Sequence, residues 1–158
     1  MKKLIIGLIF ILAVNAFSYG QTVLVRPNVA IGYFSASDIR GLAFNYGVKV
    51  LLSSNDFQRY GILVDHLTIP GSNQVSYLRT GIMIEQILFG HFNTGIGTIG
   101  YINLAQTGQN TFGLYTHLGF EYNFTRRLNI VVSYQSDFIF RKHFSMYNAF
   151  LIGFGIQF

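Results

Sequence analysis

The chain has no cysteine and no tryptophan, only two prolines, and charged residues at just 11% of its 158 positions. Without cysteine there can be no disulfide, no thiolate metal site and no lipid-modified cysteine at a mature N-terminus. Typical globular chains carry roughly 25% charged residues, and a protein this small has a large surface for polar groups to cover. So few charges beside 51% hydrophobic and 16% aromatic residues imply apolar surface that faces something other than water. No stretch after Gln21 shows a 3.6-residue amphipathic period. The apolar run from Leu4 to Val14 falls well short of the ~20 residues that a spanning helix requires.

That run has a different meaning. Lys2 and Lys3 precede it, and a short segment ending Ser18-Tyr19-Gly20 follows it. This is the basic, apolar and small-residue order of a secretory signal peptide. Residues 1–20 are therefore read as a cleaved leader, with Ala16 as a second cleavage candidate, and residues 21–158 as one domain. Of the 11 Lys and Arg, the leader takes two and leaves nine against six acids. The balance is too mild, and pairs such as Arg126-Arg127 too small, to suggest a nucleic-acid partner.

What is present is alternation. Period-two runs cover roughly 23–35, 42–53, 59–69, 75–89, 94–105, 111–124, 129–140 and 147–158. They are separated by "ASDIRG", "SNDFQ", "PGSNQ", "GHFN", "QTGQN", "TRRL" and "RKHFSM", rich in residues that tolerate tight or left-handed backbone. Pro70 opens a turn. Pro27 falls inside the first run, where its missing N–H needs relief.

Separating the faces gives a continuous apolar row on one side, such as Phe112, Leu114, Thr116, Leu118, Phe120, Tyr122 and Phe124. The other side is glycine punctuated by single polar groups, such as Gly113, His117, Gly119 and Glu121. Two closed barrels fit this pattern. A soluble lipocalin-like carrier would turn the apolar face inward, and a membrane barrel would turn it outward. A water-facing surface should be dense in Lys and Glu, whereas this polar face is mostly small. An eight-stranded interior is only just wide enough for side chains, so small residues are needed there. Arg79 on a lipid face at mid-strand would cost ~2–4 kcal/mol, which favours turning it inward. The expected fold is all-β: an eight-stranded antiparallel up-and-down transmembrane β-barrel.

On that reading Arg26, Lys49 and Arg79 share the lumen with Asp65, Glu85, Glu121 and Asp137, with Asn28, Asn45, Asn103, His117 and Gln135 between them. Buried charges must pair, so the expectation is a structural plug rather than an ion path. His66 and Gln86 fall on the apolar face, through a bulge or a place near the membrane edge. Tyr33, Tyr77, Tyr101, Phe138 and Phe140 at one end, and Phe57, Tyr60, Phe89, Phe92, Phe124 and Phe158 at the other, are expected as interfacial aromatic girdles.

The leader, the eight alternating strands and a last strand ending on Phe resemble the small outer-membrane β-barrels of the OmpA/OmpX type. The resemblance implies a Gram-negative outer-membrane location and contact with lipid and lipopolysaccharide. It also implies that the barrel-assembly machinery recognises Phe150, Ile152, Phe154, Ile156 and Phe158. "SNDFQ", "GHFN" and "TRRL" would be periplasmic turns. The other connections, which carry Arg40, Arg141 and Lys142 as candidate lipopolysaccharide contacts, would be outer loops. These loops are short, which leaves little surface for a large external ligand. The implied role is structural or envelope-associated, without catalysis or cofactor.

Other motifs are weaker. Gly95-x-Gly97-x-x-Gly100 spells a dinucleotide fingerprint, but no helix follows it to hold a pyrophosphate, so no nucleotide is expected. His66, His91, His117 and His143 lie in separate segments, without metal-ligand spacing. The pair His143-x-Ser145 is similar to that of outer-membrane lipid A deacylases, implying an alternative with Ser145 as nucleophile and His143 as base. Met146 follows the serine where that family has Asn, and no acid lies beyond it.

Overall fold

Alternating large apolar and small or polar residues favour a pleated strand, because successive side chains then meet two different environments. The computed structural model describes residues 22–36, 39–71, 75–104, 110–141 and 144–158. In it the eight runs become β1 (Thr22–Ser35), β2 (Arg40–Asn55), β3 (Gln58–Ile69), β4 (Val75–Leu88), β5 (Phe92–Asn103), β6 (Thr111–Asn123), β7 (Leu128–Phe140) and β8 (Ser145–Gln157). No boundary differs from the expected run by more than two residues. The expected leader, residues 1–20, lies outside the described residues.

Each strand pairs antiparallel with the next, and β8 returns onto β1 to close the barrel. The closing ladder runs from Leu24↔Gln157 to Ser35↔Met146, so the last strand is a full member of the wall. Closure leaves no open edge with unpaired backbone groups. Pro27 finds its relief at this seam. The β1–β8 pairs lapse between Val25↔Ile156 and Asn28↔Gly153, so the missing N–H falls where the ladder is already interrupted.

Short turns join the strands at the rim that carries both ends of the barrel, called here the terminal rim. In the β2–β3 turn Phe57 N donates to Asn55 Oδ1 at 2.9 Å. In the β6–β7 turn the amides of Arg127 and Leu128 donate to Thr125 Oγ1. The β4–β5 turn differs from expectation. Its left-handed residues are Phe89 (φ 52°) and Gly90 (φ 76°), the two-residue geometry that follows strand twist. β5 therefore begins at Phe92, and Asn93, read as part of the turn, is a fully buried strand residue. The opposite loop rim carries four connections, the longest between Asn103 and Thr111.

The faces separate as the alternation requires. In β8, Phe150 is 66% exposed and Phe154 59%, while Ala149, Leu151, Gly153 and Gly155 on the other parity are buried. Val29, Tyr46, Ile82, Leu118 and Val132 are likewise exposed on the outer wall. Val23 and Val50, also of outward parity, are instead covered by Val25, Val48, Leu52 and Ile62. The glycines of inward parity admit neighbours that a side chain would displace. A Cβ on Gly47 would collide with the Asp65 side chain and the Val64 carbonyl.

The outward polar pair is resolved by register. The β3–β4 ladder runs unbroken from Gln58↔Gln86 to Ile69↔Val75, so no bulge flips either residue. His66 stays outward near the loop rim, with its Nε2 2.6 Å from Ser76 Oγ and its Nδ1 3.3 Å from Thr68 Oγ1. Gln86 is outward near the terminal rim. The girdle expectation needs one correction. Tyr33 and Phe140 at the loop rim, and Phe57, Tyr60, Phe89, Phe92, Phe124 and Phe158 at the terminal rim, are exposed. Phe138 is half-buried, but Tyr77 and Tyr101 are 0% and 1% exposed and point into the lumen. Parity decides this: Tyr77 lies two residues from inward Arg79, and Tyr101 pairs with Arg79 across the ladder.

Candidate functional site: the charged lumen

Eight strands leave an interior that side chains can fill, and here the filling is charged. Arg26, Lys49, Arg59 and Arg79 share it with Asp65, Glu85, Glu121 and Asp137, all buried. Among the described residues the buried cations and carboxylates thus balance four to four.

The groups form two clusters. Nearer the terminal rim, Arg26 Nη1 donates to Glu85 Oε2 at 3.0 Å and Nη2 to Glu121 Oε2 at 2.8 Å. Arg59 Nη1 donates to Glu85 Oε1 at 2.9 Å and to Glu121 Oε2 at 2.6 Å, and its Nη2 donates to Glu121 Oε1 at 3.0 Å. Two guanidiniums and two carboxylates therefore make a closed ring that ties β1, β3, β4 and β6 together across the lumen. The sequence pattern assigns Arg59 no role. The signal that could have found it is parity, since it shares the face of Gly61, Leu63 and Asp65, but it stands beside a turn.

Nearer the loop rim, Arg79 makes a two-pronged pair with Asp65, Nε to Oδ1 at 2.6 Å and Nη2 to Oδ2 at 2.7 Å. Its Nη1 reaches across to Asp137 Oδ2 at 2.6 Å. Tyr101 also donates its hydroxyl to Asp137, and Gln135 Nε2 donates to the other Asp137 oxygen at 3.1 Å. The Arg79 guanidinium lies over the Tyr147 ring, 4.8 Å from its centroid, a geometry that favours a cation. Lys49 donates to Tyr115 Oη at 2.6 Å. His117 Nε2 lies 3.3 Å from Glu85 Oε2, poorly aligned for a hydrogen bond.

Above this cluster the loop rim is filled by rings. Phe34 stacks on Tyr77 at 6.1 Å, and Tyr101 meets Tyr77 edge-on at 5.7 Å. The Arg141 guanidinium covers both Phe34 and Tyr77, at 6.0 and 5.5 Å from their centroids, and donates to Tyr77 Oη. Arg141 is thus folded over the mouth of the barrel. Arg40 is exposed, with its Nε donating to Ala36 O at 3.3 Å, and Lys142 lies outside the described residues.

The structure gathers Arg26, Lys49, Asp65, Arg79, Glu85, His117, Glu121 and Asp137 into one interior, as the alternation predicts, together with Asn28, Asn45 and Gln135. Asn103 is half-buried at the loop end of β5. Ser145 begins β8 and is 2% exposed, while its partner in the esterase alternative, His143, lies outside the described residues. Among the described residues no group of His, Asp and Glu is arranged to hold a metal. The last-strand residues Phe150, Ile152, Phe154, Ile156 and Phe158 form one exposed outward row.

No protein-family profile and no curated protein matches the sequence. Solved structures do match in shape. Neisserial surface protein A superposes with a TM-score of 0.63 at 15% identity, covering 86% of this chain and 97% of that one. The N-terminal β-barrel domain of Pseudomonas aeruginosa OprF gives 0.61 at 15% identity, over 87% and 97%. Ail, the attachment invasion locus protein of Yersinia pestis, gives 0.52 at 11% identity, over 87% and 98%. Identity this low speaks for architecture and not for activity. The chain has the fold of the small eight-stranded outer-membrane β-barrels.

Proposed function

We propose that this chain is an integral outer-membrane protein of a Gram-negative envelope, exported with a leader of residues 1–20. Its lumen is plugged by its own ion pairs, and its role is structural, without catalysis. The observation that carries the membrane reading is the inversion of the two faces: paired charges inside the barrel and mainly aromatic and aliphatic rows outside. Water around such a wall would meet far more contiguous apolar surface than the few hundred Å² a soluble monomer exposes. Lipid removes that cost. The plug follows from the balanced, mutually hydrogen-bonded charges, which leave each arginine and carboxylate a partner without solvent or a ligand.

In this orientation the terminal rim faces the periplasm and the loop rim faces outward. The β8 row ending at Phe158 serves as the signal for the barrel-assembly machinery. Arg40 and Lys142 meet anionic lipopolysaccharide phosphates, and Arg141 does so only by leaving its place over Phe34 and Tyr77. The test is fractionation of expressing cells, followed by electrophoresis of the protein with and without boiling. Outer-membrane partition and a heat-dependent shift in mobility are expected. Recovery as a soluble periplasmic protein would overturn the proposal in favour of a carrier.

A further inference from the structure

The outer wall is not uniformly apolar. On the β1–β2 side, away from Ser35 and Arg40 at the loop end, the outward residues Val25, Val29, Ile31, Leu42, Phe44 and Val48 offer lipid nothing polar but the Tyr33 and Tyr46 hydroxyls. The opposite side carries a polar line. Asn148 on β8 pairs with Ser136 on β7, and Ser136 pairs with Thr116 on β6, in direct register across three strands. One step further, Thr94 on β5 pairs with Gln86 on β4. The line starts three residues from the loop end of β8 and ends two residues from the terminal end of β4, so it crosses both halves of the wall. Thr94, Thr116, Ser136 and Gln86 border an outward groove of about 550 Å³, with Leu118 and Tyr134 as its apolar walls.

The hydroxyls of this line are partly satisfied. Thr94 donates to His117 O, Thr116 to Ser136 O, and Ser136 to Asn148 Oδ1 at 2.7 Å. The amides are not. Asn148 uses only its oxygen, and Gln86 is exposed with no hydrogen-bond partner among the described residues. In hydrocarbon an amide without a partner is costly, and Ser, Thr, Asn and Gln side chains hydrogen-bond between packed segments within a bilayer.

We infer that this line is a lateral contact face for a second copy of the same chain. The inference rests on the membrane reading above. Two features select this occupant. A lipid of one leaflet would cover half of the line, whereas another barrel spans both halves. Carboxamides and hydroxyls each donate and accept, so the line is complementary to itself, as a two-fold interface requires.

The absence of native cysteine makes the test direct. Thr116→Cys, at the centre of the line, and Val64→Cys, on the far side of the barrel, are each reconstituted in phosphatidylcholine vesicles and oxidised at two protein-to-lipid ratios. We expect a cross-linked dimer at least fivefold more abundant for Thr116→Cys than for Val64→Cys, persisting on dilution. Adding Asn148→Leu to Thr116→Cys should lower its yield severalfold while the heat-dependent mobility shift is kept. Equal cross-linking at both positions, or a monomer at both ratios, overturns the inference. Cross-linking of Thr116→Cys in cell membranes only, to a different protein, assigns the face to another partner and overturns it as well. Failure to insert into vesicles at all would instead refute the membrane reading, so the two failures are distinguishable.

Discussion

Arg26 on β1 and Glu121 on β6 stand 95 positions apart in the chain, and their side chains meet at 2.8 Å across the lumen. No ladder joins these two strands. The pair exists only because the sheet closes, and it couples opposite walls through charges that have no access to water.

Removal of one member should therefore cost more than the pair contributes. Arg79→Met leaves Asp65 and Asp137 facing each other without their cation. A loss of about 3–5 kcal/mol is expected, the range for breaking a buried ion pair, read from urea unfolding in lipid vesicles. Replacing Asp65 and Asp137 by Leu in the same variant should recover most of that stability. No recovery would mean that the cluster does more than neutralise its own burial.

A plugged lumen should not conduct. Planar bilayer recordings on the wild-type protein should show a flat baseline. Arg59→Ala together with Glu121→Ala, which removes half of the cluster nearer the terminal rim, is the variant expected to admit ions if any does. Regular conductance steps from the wild type would refute the plug.

Lipid contact predicts a depth-dependent penalty. Ile82 lies at the middle of β4 and is 65% exposed, so Ile82→Arg should destabilise by ~2–4 kcal/mol, while Leu128→Arg at the rim should cost ~0–1 kcal/mol. The comparison uses vesicle unfolding midpoints. Equal and small effects at both sites would argue that water, not lipid, covers the wall.

Close packing inside the barrel can be probed at glycine. Gly47→Ala places a methyl group against Asp65 and the Val64 carbonyl, and overpacking of this kind costs about 1–3 kcal/mol. Gly71→Ala, with nothing within 4 Å of the new atom, should be neutral. Folding yield in vesicles distinguishes them.

The last residue separates assembly from stability. Phe158 exchanges two backbone hydrogen bonds with Val23, at 3.3 and 2.9 Å, and its ring faces outward. Phe158→Ser keeps the backbone pairing, so folding in vesicles should change little. Its level in the outer membrane of cells should fall severalfold if the terminal ring is read during assembly. A normal cellular level would remove that role from Phe158.

Much of this architecture is legible from parity alone. A strand places side chains on opposite faces by a local steric rule, so alternation in β6 and β8 is enough to sort inward from outward without knowing any partner. The same rule points to Arg59, Tyr77 and Tyr101 as lumen residues. Distance from a turn does not: Arg59 stands beside one, and Tyr77 and Tyr101 lie near the rim yet point inward. A rim has two sides, and large rings near it can close the mouth as readily as they can meet the interface. The β4–β5 turn departs from the sequence pattern because Phe89, an unusual residue for left-handed backbone, takes one of its two positions.

What the amino-acid order settles by itself is the strand count and which residues share a face, because these depend on nearest neighbours in the chain. Which arginine meets which carboxylate came only with the tertiary structure. So did the position of Arg141 over Phe34 and Tyr77, and the alignment of Asn148, Ser136 and Thr116 into one line. Those relations depend on strand stagger and on closure of β8 onto β1, which bring together residues that no local pattern relates.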